Sequence, residues 1–480
     1  MTAPASRNRD TSGVLDRLPF MGIGISTDLY FPPLEPMLEA LFPEFLPDYI
    51  EIFRGRTCDL ERARTETVPR TIPMTYHGDA LWYTQPDFPD NPSYQEEIRR
   101  ANRHLDTLEA PWMIHECAQK ALLGRTFGVY LPPVLSDRSA EWTRYNALSL
   151  ASRLEGRTLL VEIPPFPLFS VGDLGVGAFF RAVVGGTDLG LGLDIGHALT
   201  AYRLLNPSPS PEGLASWLDR EFPLEQVVEI HVGGMETIPN PYGVWFWDDH
   251  SREIPQILWD SLDAVLRYCT LPVLKGVALE VDNKEIPLVA KEFRTFRRIV
   301  ERRWTRSPSP IPLLSLSDLG SKPSEPGDRN ALEQEYADYL ETIFSAHPPE
   351  TTKTLGMPGF FRDRFLPEDV WSFGGHIPDL FPKSLSRIER FVRRPKDAFV
   401  SFFHGIPLTD LVPYDYLRTK VTVFGLWVEA LIRNCQIPPD TIEEIRRLAH
   451  HEGRQILDDQ ERINGDPLGD RNREGYLLHA

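Results

Sequence analysis

The chain has 480 residues, 41% of them hydrophobic and 25% charged, with a formal net charge of −18. That is ordinary globular composition, with material for a sizeable core and for more than one folding unit. The acidic balance lacks the basic stripe that a phosphate-tracking protein needs, which argues against nucleic acid as the main partner. The four cysteines, Cys58, Cys117, Cys269 and Cys435, form no Cys-x-x-Cys pair. Neither a zinc ribbon nor a disulfide framework is indicated, and the usage suits a reducing cytoplasm. The start lacks the apolar run of a signal peptide, and no segment approaches the ~20 apolar residues of a membrane span. A cytoplasmic protein that does not enter the membrane is expected.

Residues 1–18 are expected to be a disordered N-terminus. From 19 to 306, short apolar runs alternate with longer helical patterns. The runs are Phe20–Ile25, Tyr49–Phe53, Thr71–Tyr76, Trp112–Ile114, Thr158–Val161, Leu189–Leu193, Val227–Ile230 and Gly276–Leu279. Near-continuous runs of this length suit parallel strands buried on both faces. Amphipathic stretches lie between them, including Glu96–Leu108, Ser139–Leu154 and Ile254–Tyr268. Eight such units predict a (β/α)₈ TIM barrel. Residues 307–329 are rich in Ser, Pro, Gly and Asp and are expected to be a linker. Asn330–Ser345, Tyr414–Arg433 and Pro439–Arg462 read as helices, so 330–480 is expected to be a smaller, mostly helical accessory domain with no strands, its last dozen residues frayed.

In TIM barrels the reactive residues sit at the C-terminal ends of the strands. Applied here, that rule collects His77, His115 with Glu116, Glu162, Asp194 with His197, His231, and Glu280, and the loop after strand seven adds Asp248 and His250. One ionisable residue after an apolar strand means little. Of the six histidines before the linker, however, only His104 lies elsewhere. Imidazoles and carboxylates converging in a buried place desolvate badly unless a cation binds them. The mixed donor set suits Zn, Fe or Mn better than Mg or Ca. Asp248-x-His250 also reads as a helix cap before Ile254. Glu116 reads equally as the partner of a neighbouring histidine. Trp245 and Trp247 are candidate substrate-cleft residues or packing under the loop. Cys117 reads as an inert buried thiol, and His450-His451 as a solvated helix face. The glycine-rich stretch Val171–Gly177 lacks the ending of a phosphate loop.

The order of these motifs resembles the multinuclear non-haem iron-dependent oxidases, the family that includes the oxidase of methanobactin biosynthesis. The resemblance rests on Met21-Gly22-Ile23-Gly24, Tyr76-His77-Gly78, Leu159–Glu162, Leu193–His197, Ile230–Gly234, Asp248-Asp249-His250 and Leu279-Glu280 with Asp282-Asn283. It implies a barrel holding two or three irons and using O2 to oxidise a residue, often cysteine, of a ribosomally made precursor peptide. Together with the strand-end rule it gives the expected ligand set His77, His115, Glu162, Asp194, His197, His231, Asp248, His250 and Glu280, of which His115 rests on the strand-end rule alone. Two departures remove a donor each. The family commonly has Asn where this chain has Ile163, and a second His where Met235 stands. The remaining donors still serve two metals.

A competing reading on the same barrel is a metal-dependent sugar isomerase or epimerase, for which Lys284, in a solvated loop after strand eight, is the candidate lysine. An endonuclease-like barrel is disfavoured by the acidic charge. A metal-free binding scaffold that kept the barrel and lost the chemistry leaves so many retained donors unexplained, and a metal-binding scaffold without catalysis is a further alternative. The accessory domain is expected to border the barrel's C-terminal face, as a partner fused in cis that helps bind substrate or as a brace. Trp371–His376 and Phe399–His404 are its candidate cleft linings, or else its core.

Overall fold

The computed structural model describes residues 12–42, 44–88, 90–240, 243–304, 326–345, 353–373, 375–406, 416–434 and 436–464. Eight strands, β1 (Gly22–Thr27), β2 (Tyr49–Phe53), β3 (Met74–His77), β4 (Trp112–Glu116), β5 (Thr158–Glu162), β6 (Gly190–Asp194), β7 (Val227–Val232) and β8 (Gly276–Glu280), form a closed barrel. Neighbours in sequence pair in parallel, and β1 closes on β8 with Ile23 opposite Val277 and Ser26 opposite Glu280. The strands read as continuous apolar runs because both of their faces are covered, one by the barrel interior and one by helices. Those helices include Pro92–Leu108, Asp137–Ala151, Ile195–Leu205, Gln256–Tyr268 and Ile286–Arg303.

The TIM barrel predicted from the apolar runs is therefore the observed fold. β2 has the bounds read from the sequence, and β3 starts later than expected. Pro73 has no N–H to give a ladder, and Ile72 is turned back onto Pro69 by its backbone hydrogen bond. At the N-terminus, Ser12–Asp16 is a helix with Leu15 buried, inside the stretch expected to be disordered. Residues 1–11 lie outside the described residues, as do 305–325, which hold most of the expected linker.

Three short antiparallel pairs were not anticipated. Gln119–Leu122 pairs with Arg125–Leu131 after β4, and Met235–Asn240 pairs with Gly243–Asp248 after β7. The third joins Phe169–Val171, after β5, to Thr354–Gly356 of the C-terminal region. That region was expected to be free of strands. A three-residue strand has too little alternation to register in a sequence.

The region after the linker is otherwise helical, with Arg329–Phe344, Leu366–Trp371, Pro382–Ile388, Pro395–Gly405, Tyr416–Arg433 and Ile442–Asn464. It has a core of its own, in which Phe381 stacks on Phe424 at 3.8 Å and Phe399 and Trp427 pack beside them. Trp371, Phe399 and Phe403 are buried there, so these candidate cleft linings are core. A second cluster is shared with the barrel: Leu131, Phe169 and Val171 pack with Leu332, Tyr336, Tyr339 and Phe361. Hydrogen bonds cross the same seam, from Tyr336 Oη to Thr84 O (3.0 Å) and from Gly128 N to Asp369 Oδ2 (2.9 Å). The region thus rests on the loops of the barrel's C-terminal face, where the sequence reading put it. Among the described residues, no helix is long and apolar enough to cross a membrane.

Phe169 is fully buried between Tyr339 and Phe361 at 5.9 and 5.2 Å. Phe169→Ala should lower unfolding free energy by about 3–5 kcal/mol, read from denaturant midpoints. A loss below ~1 kcal/mol would show that the seam adds little.

Candidate metal centre

Parallel strands deliver their last residues to one end of the barrel, and here most of those residues are polar. His77 ends β3, Glu162 ends β5, Asp194 ends β6, His231 is next to last in β7, and Glu280 ends β8. All five are buried. His77 Nε2 lies 3.0 Å from Glu162 Oε2. His231 Nδ1 lies 3.1 Å from Glu162 Oε1 and 3.4 Å from Glu280 Oε1. These four side chains form one donor group.

A second donor group adjoins it, made of His197, Asp248 and His250. Asp248 faces both histidines, His197 Nε2 at 3.4 Å and His250 Nε2 at 3.3 Å. Glu280 links the groups, because its other oxygen, Oε2, lies 3.2 Å from His250 Nε2. Asp194 caps the helix after β6, accepting from His197 N at 2.6 Å through Oδ1. Its Oδ2 has no hydrogen-bond partner among the described residues.

Local backbone makes this approach possible. A Cβ on Gly233 would stand 2.6 Å from His250 Cδ2 and 3.1 Å from Glu280 Oε2, and one on Gly234 would stand 2.2 Å from Arg252 O. The Gly-Gly pair after β7 therefore lets the 248–250 turn fold down over Glu280. Asp248 ends a hairpin strand, and the helix that follows is capped at Pro255, so the helix-cap reading of Asp248 does not hold.

Three of the four histidines in the two groups have the second ring nitrogen hydrogen-bonded, and that of His231 lies beside a carboxylate. His77 Nδ1 donates to Gly78 O (3.0 Å) and His197 Nδ1 to Ile163 O (2.7 Å). His231 Nε2 faces Glu51 Oε1 at 3.2 Å, and His250 Nδ1 faces Asp282 Oδ2 at 3.4 Å. Such backing fixes the tautomer and leaves the other nitrogen for a cation. Burial disfavours charge on all four imidazoles, yet the facing carboxylates outweigh it and hold each well above the ordinary histidine value. Burial likewise works against ionised Glu162, Asp248 and Glu280, and the facing histidines outweigh it, holding Glu280 at about 2. Asp194 is pushed up to about 7 by burial, with Glu280 and Asp248 adding to the rise.

Donor atoms Asp194 Oδ2, His197 Nε2, His250 Nε2 and Glu280 Oε2 are shielded from solvent without a hydrogen-bond partner among the described residues. Orphaned buried donors of mixed N/O type are what a transition-metal cation satisfies. The donor set fits a metal ion.

His115 is placed differently from the expectation. Its Nε2 accepts from Leu81 N (2.9 Å) and its Nδ1 donates to Glu116 O (2.8 Å), so backbone occupies both nitrogens and keeps it out of the two groups. Burial lowers it to about 4. His104 sits between Tyr76 and Thr57, fully buried. Cys117 is buried, and burial raises its thiol. Lys284 is not solvated: it is fully buried against Glu292 at 2.6 Å. Ile163 lies in the core and offers only its carbonyl to His197, while Met235 stands directly opposite Asp248 in the hairpin. Trp245 lies under the Arg203 guanidinium (4.1 Å) and Trp247 stacks on Phe365 (4.3 Å), so packing accounts for both rings. His450 and His451 are exposed, as expected.

Sequence reasoning passed over Glu51 and Glu229, and named Asp282 only as part of a motif. Glu51 and Glu229 are fully buried beneath His231, and Glu229 accepts from Tyr49 Oη and from Trp112 Nε1 (2.7 Å). With His231 they form a third donor group. The signal was present, since each is a lone carboxylate inside an otherwise apolar strand.

The family model for the RiPP precursor modification enzyme MbnB/TglH/ChrH matches residues 21–301, and the chain belongs to that family. No curated protein matches the chain. Similar solved structures include endonuclease IV from Thermus thermophilus, at 18% identity over 58% of this chain and 99% of that one, TM-score 0.37. A xylose isomerase-like TIM barrel protein from Mycobacterium smegmatis in complex with magnesium is similar at 12% identity, covering 58% and 97%, TM-score 0.39. D-psicose 3-epimerase with D-tagatose from Clostridium cellulolyticum has 11% identity, 66% and 96% coverage, and TM-score 0.34. Likeness at these scores carries no argument about activity.

Two outcomes follow. The four raised histidines hold protons in the metal-free protein, and a cation must displace them. Metal affinity should therefore rise as pH climbs past 6.5, with proton release in calorimetric titrations run in buffers of different ionisation enthalpy. A pH-independent affinity would contradict the arrangement. Separately, His104→Ala should cost about 1–3 kcal/mol of stability and leave metal content unchanged, whereas His197→Ala should lower metal content. Equal metal content in both variants would remove His197 from the centre.

Proposed function

We propose that this RiPP precursor modification enzyme binds two iron ions, takes O2 as co-substrate, and oxidises a residue of a ribosomally made precursor peptide in the cytoplasm where that peptide is made. A cysteine is the target that the family resemblance favours. The observation that carries the reading is the position of Glu280, whose two oxygens face histidines of different donor groups. One carboxylate shared between two groups is how a pair of cations is held close together.

On this reading His77, Glu162, His231 and Glu280 would hold the first ion. His197, Asp248 and His250 would hold the second, with Asp194 and Glu280 beside them. Iron bound in this way would supply the electrons that O2 needs to become reactive. The protein's own contribution is to orient and exclude. Gly78 O, Ile163 O and Asp282 fix the tautomers of His77, His197 and His250, and Glu51 lies beside His231, so the ligand nitrogens need little rearrangement. The apolar Ile163 and Met235 add no donor, which supports two ions rather than three. The hairpins and the helical region that rim this face form the surface that a peptide must cross.

The isomerase or epimerase reading needs a lysine free to act near the metals. Lys284 is committed to Glu292, which favours the oxidase reading.

Protein purified without oxygen and loaded with ferrous iron should hold about two equivalents, as mixed imidazole and carboxylate donors permit. Glu280→Ala should hold at most one, because it serves both ions. Full zinc stoichiometry with no gain in peptide turnover on iron loading would overturn the oxidase reading, as would wild-type iron content in Glu280→Ala.

A further inference from the structure

The Met235–Asp248 hairpin carries Asp248 and Phe246 on one face and the rings of Trp245 and Trp247 on the other. Successive residues of a strand point to opposite sides. Phe246 joins the barrel core and Asp248 reaches His197 and His250. Trp245 and Trp247 project the other way. Trp245 lies under Arg203, and Trp247 stacks on Phe365 with ring centres 4.3 Å apart and planes 18° from parallel. Phe365 belongs to the C-terminal region. It ends the turn Phe361–Phe365, whose first residue is fully buried against Phe169, and leads into the helix Leu366–Trp371. A continuous line of packed rings thus runs from the seam between barrel and appended region to the residue next to Asp248.

The two donor groups differ in what holds them. His77, Glu162, His231 and Glu280 all lie on barrel strands, where ladders on both sides fix the backbone. Asp248 and His250 lie on an excursion from the barrel, a two-stranded hairpin and the turn after it. An isolated two-stranded hairpin is marginal without packing on one face.

We propose that Phe365 is a positioning residue for one of the two ions: through its stack on Trp247 it holds Asp248 and His250 in place, so that occupancy of the His197–Asp248–His250 group depends on the appended region while the barrel-strand group does not. This inference rests on the two-metal reading above. The appended region then serves as part of the metal-binding machinery, and its loss removes one ion rather than merely exposing apolar surface.

The test is a Co(II) titration of the full-length, metal-free chain, followed by visible absorption, with thermal unfolding recorded alongside. The wild type should bind in two steps. In Phe365→Ala and in Trp247→Ala, one step should weaken about 10- to 100-fold, the size usual for losing support behind a ligand, and the other should stay as it was. Trp247→Phe keeps a ring to stack and should bind nearly as wild type. Phe399→Leu, in the appended region's own core, should leave both steps intact and so exclude general loosening. Should Phe365→Ala fail to fold, Phe365→Leu, which keeps apolar contact without the stack, should show the same split. Two unchanged steps in Phe365→Ala would overturn the proposal, and so would equal weakening of both. A wild type that binds a single Co(II) would instead bring down the two-metal reading itself.

Discussion

The centre depends on one electrostatic constraint, carboxylates packed against imidazoles in a place that is buried or half-buried. Glu162, Asp248 and Glu280 each face two histidines among the described residues. Taking such charges out of water costs several kcal/mol per ion unless the opposite charge is close and well placed. That demand explains features that are odd in isolation. Two consecutive glycines follow β7 because any side chain at Gly233 would push His250 away from Glu280. Asp194 uses one oxygen for a helix cap and keeps the other buried without a hydrogen-bond partner among the described residues.

The histidines fall into two kinds according to what stands behind them. His77 and His197 are backed by carbonyl oxygens, which hold the ring but carry no net charge. His231 and His250 are backed by Glu51 and Asp282. A carboxylate behind an imidazole raises its basicity, so these two should be the stronger ligands. On the proposed ligand assignment, each ion has one histidine of each kind. Glu229, below Glu51, is held by Tyr49 and Trp112, which anchors this acidic layer to the barrel interior.

Much of this was legible without coordinates, for physical reasons. Parallel strands covered on both faces leave an unmistakable apolar run, and a TIM barrel concentrates function at one end of those runs, so eight of the nine proposed ligands fall in or beside the two donor groups. His115 was the exception because strand-end position does not say which way a ring turns, and backbone took both of its nitrogens. The hairpin over the site was read as a loop, since Trp245, Phe246 and Trp247 blur the alternation that marks a strand. Glu51 and Glu229 escape the strand-end rule because they stand in the middle of their strands. Lys284 reads as solvated from its place after a strand, whereas its partner Glu292 lies in the second turn of the helix that follows. Local pattern finds elements, and it cannot find a side chain's partner when that partner lies on a neighbouring element.

The pairing of Phe169–Val171 with Thr354–Gly356 bears on how the molecule is made. A ribosome releases the barrel strands long before the segment that completes this small sheet. During that interval Phe169–Val171 has an open edge and an uncovered apolar face, the kind of surface that recruits strands from other chains. Loop closure over so long a stretch is also slow compared with the local helix and hairpin steps around it. The newborn barrel therefore passes through a vulnerable period that ends only when its own tail arrives. Conditions that slow synthesis of the tail, or shorten it, should show first as aggregation of nascent chains and only later as lost chemistry.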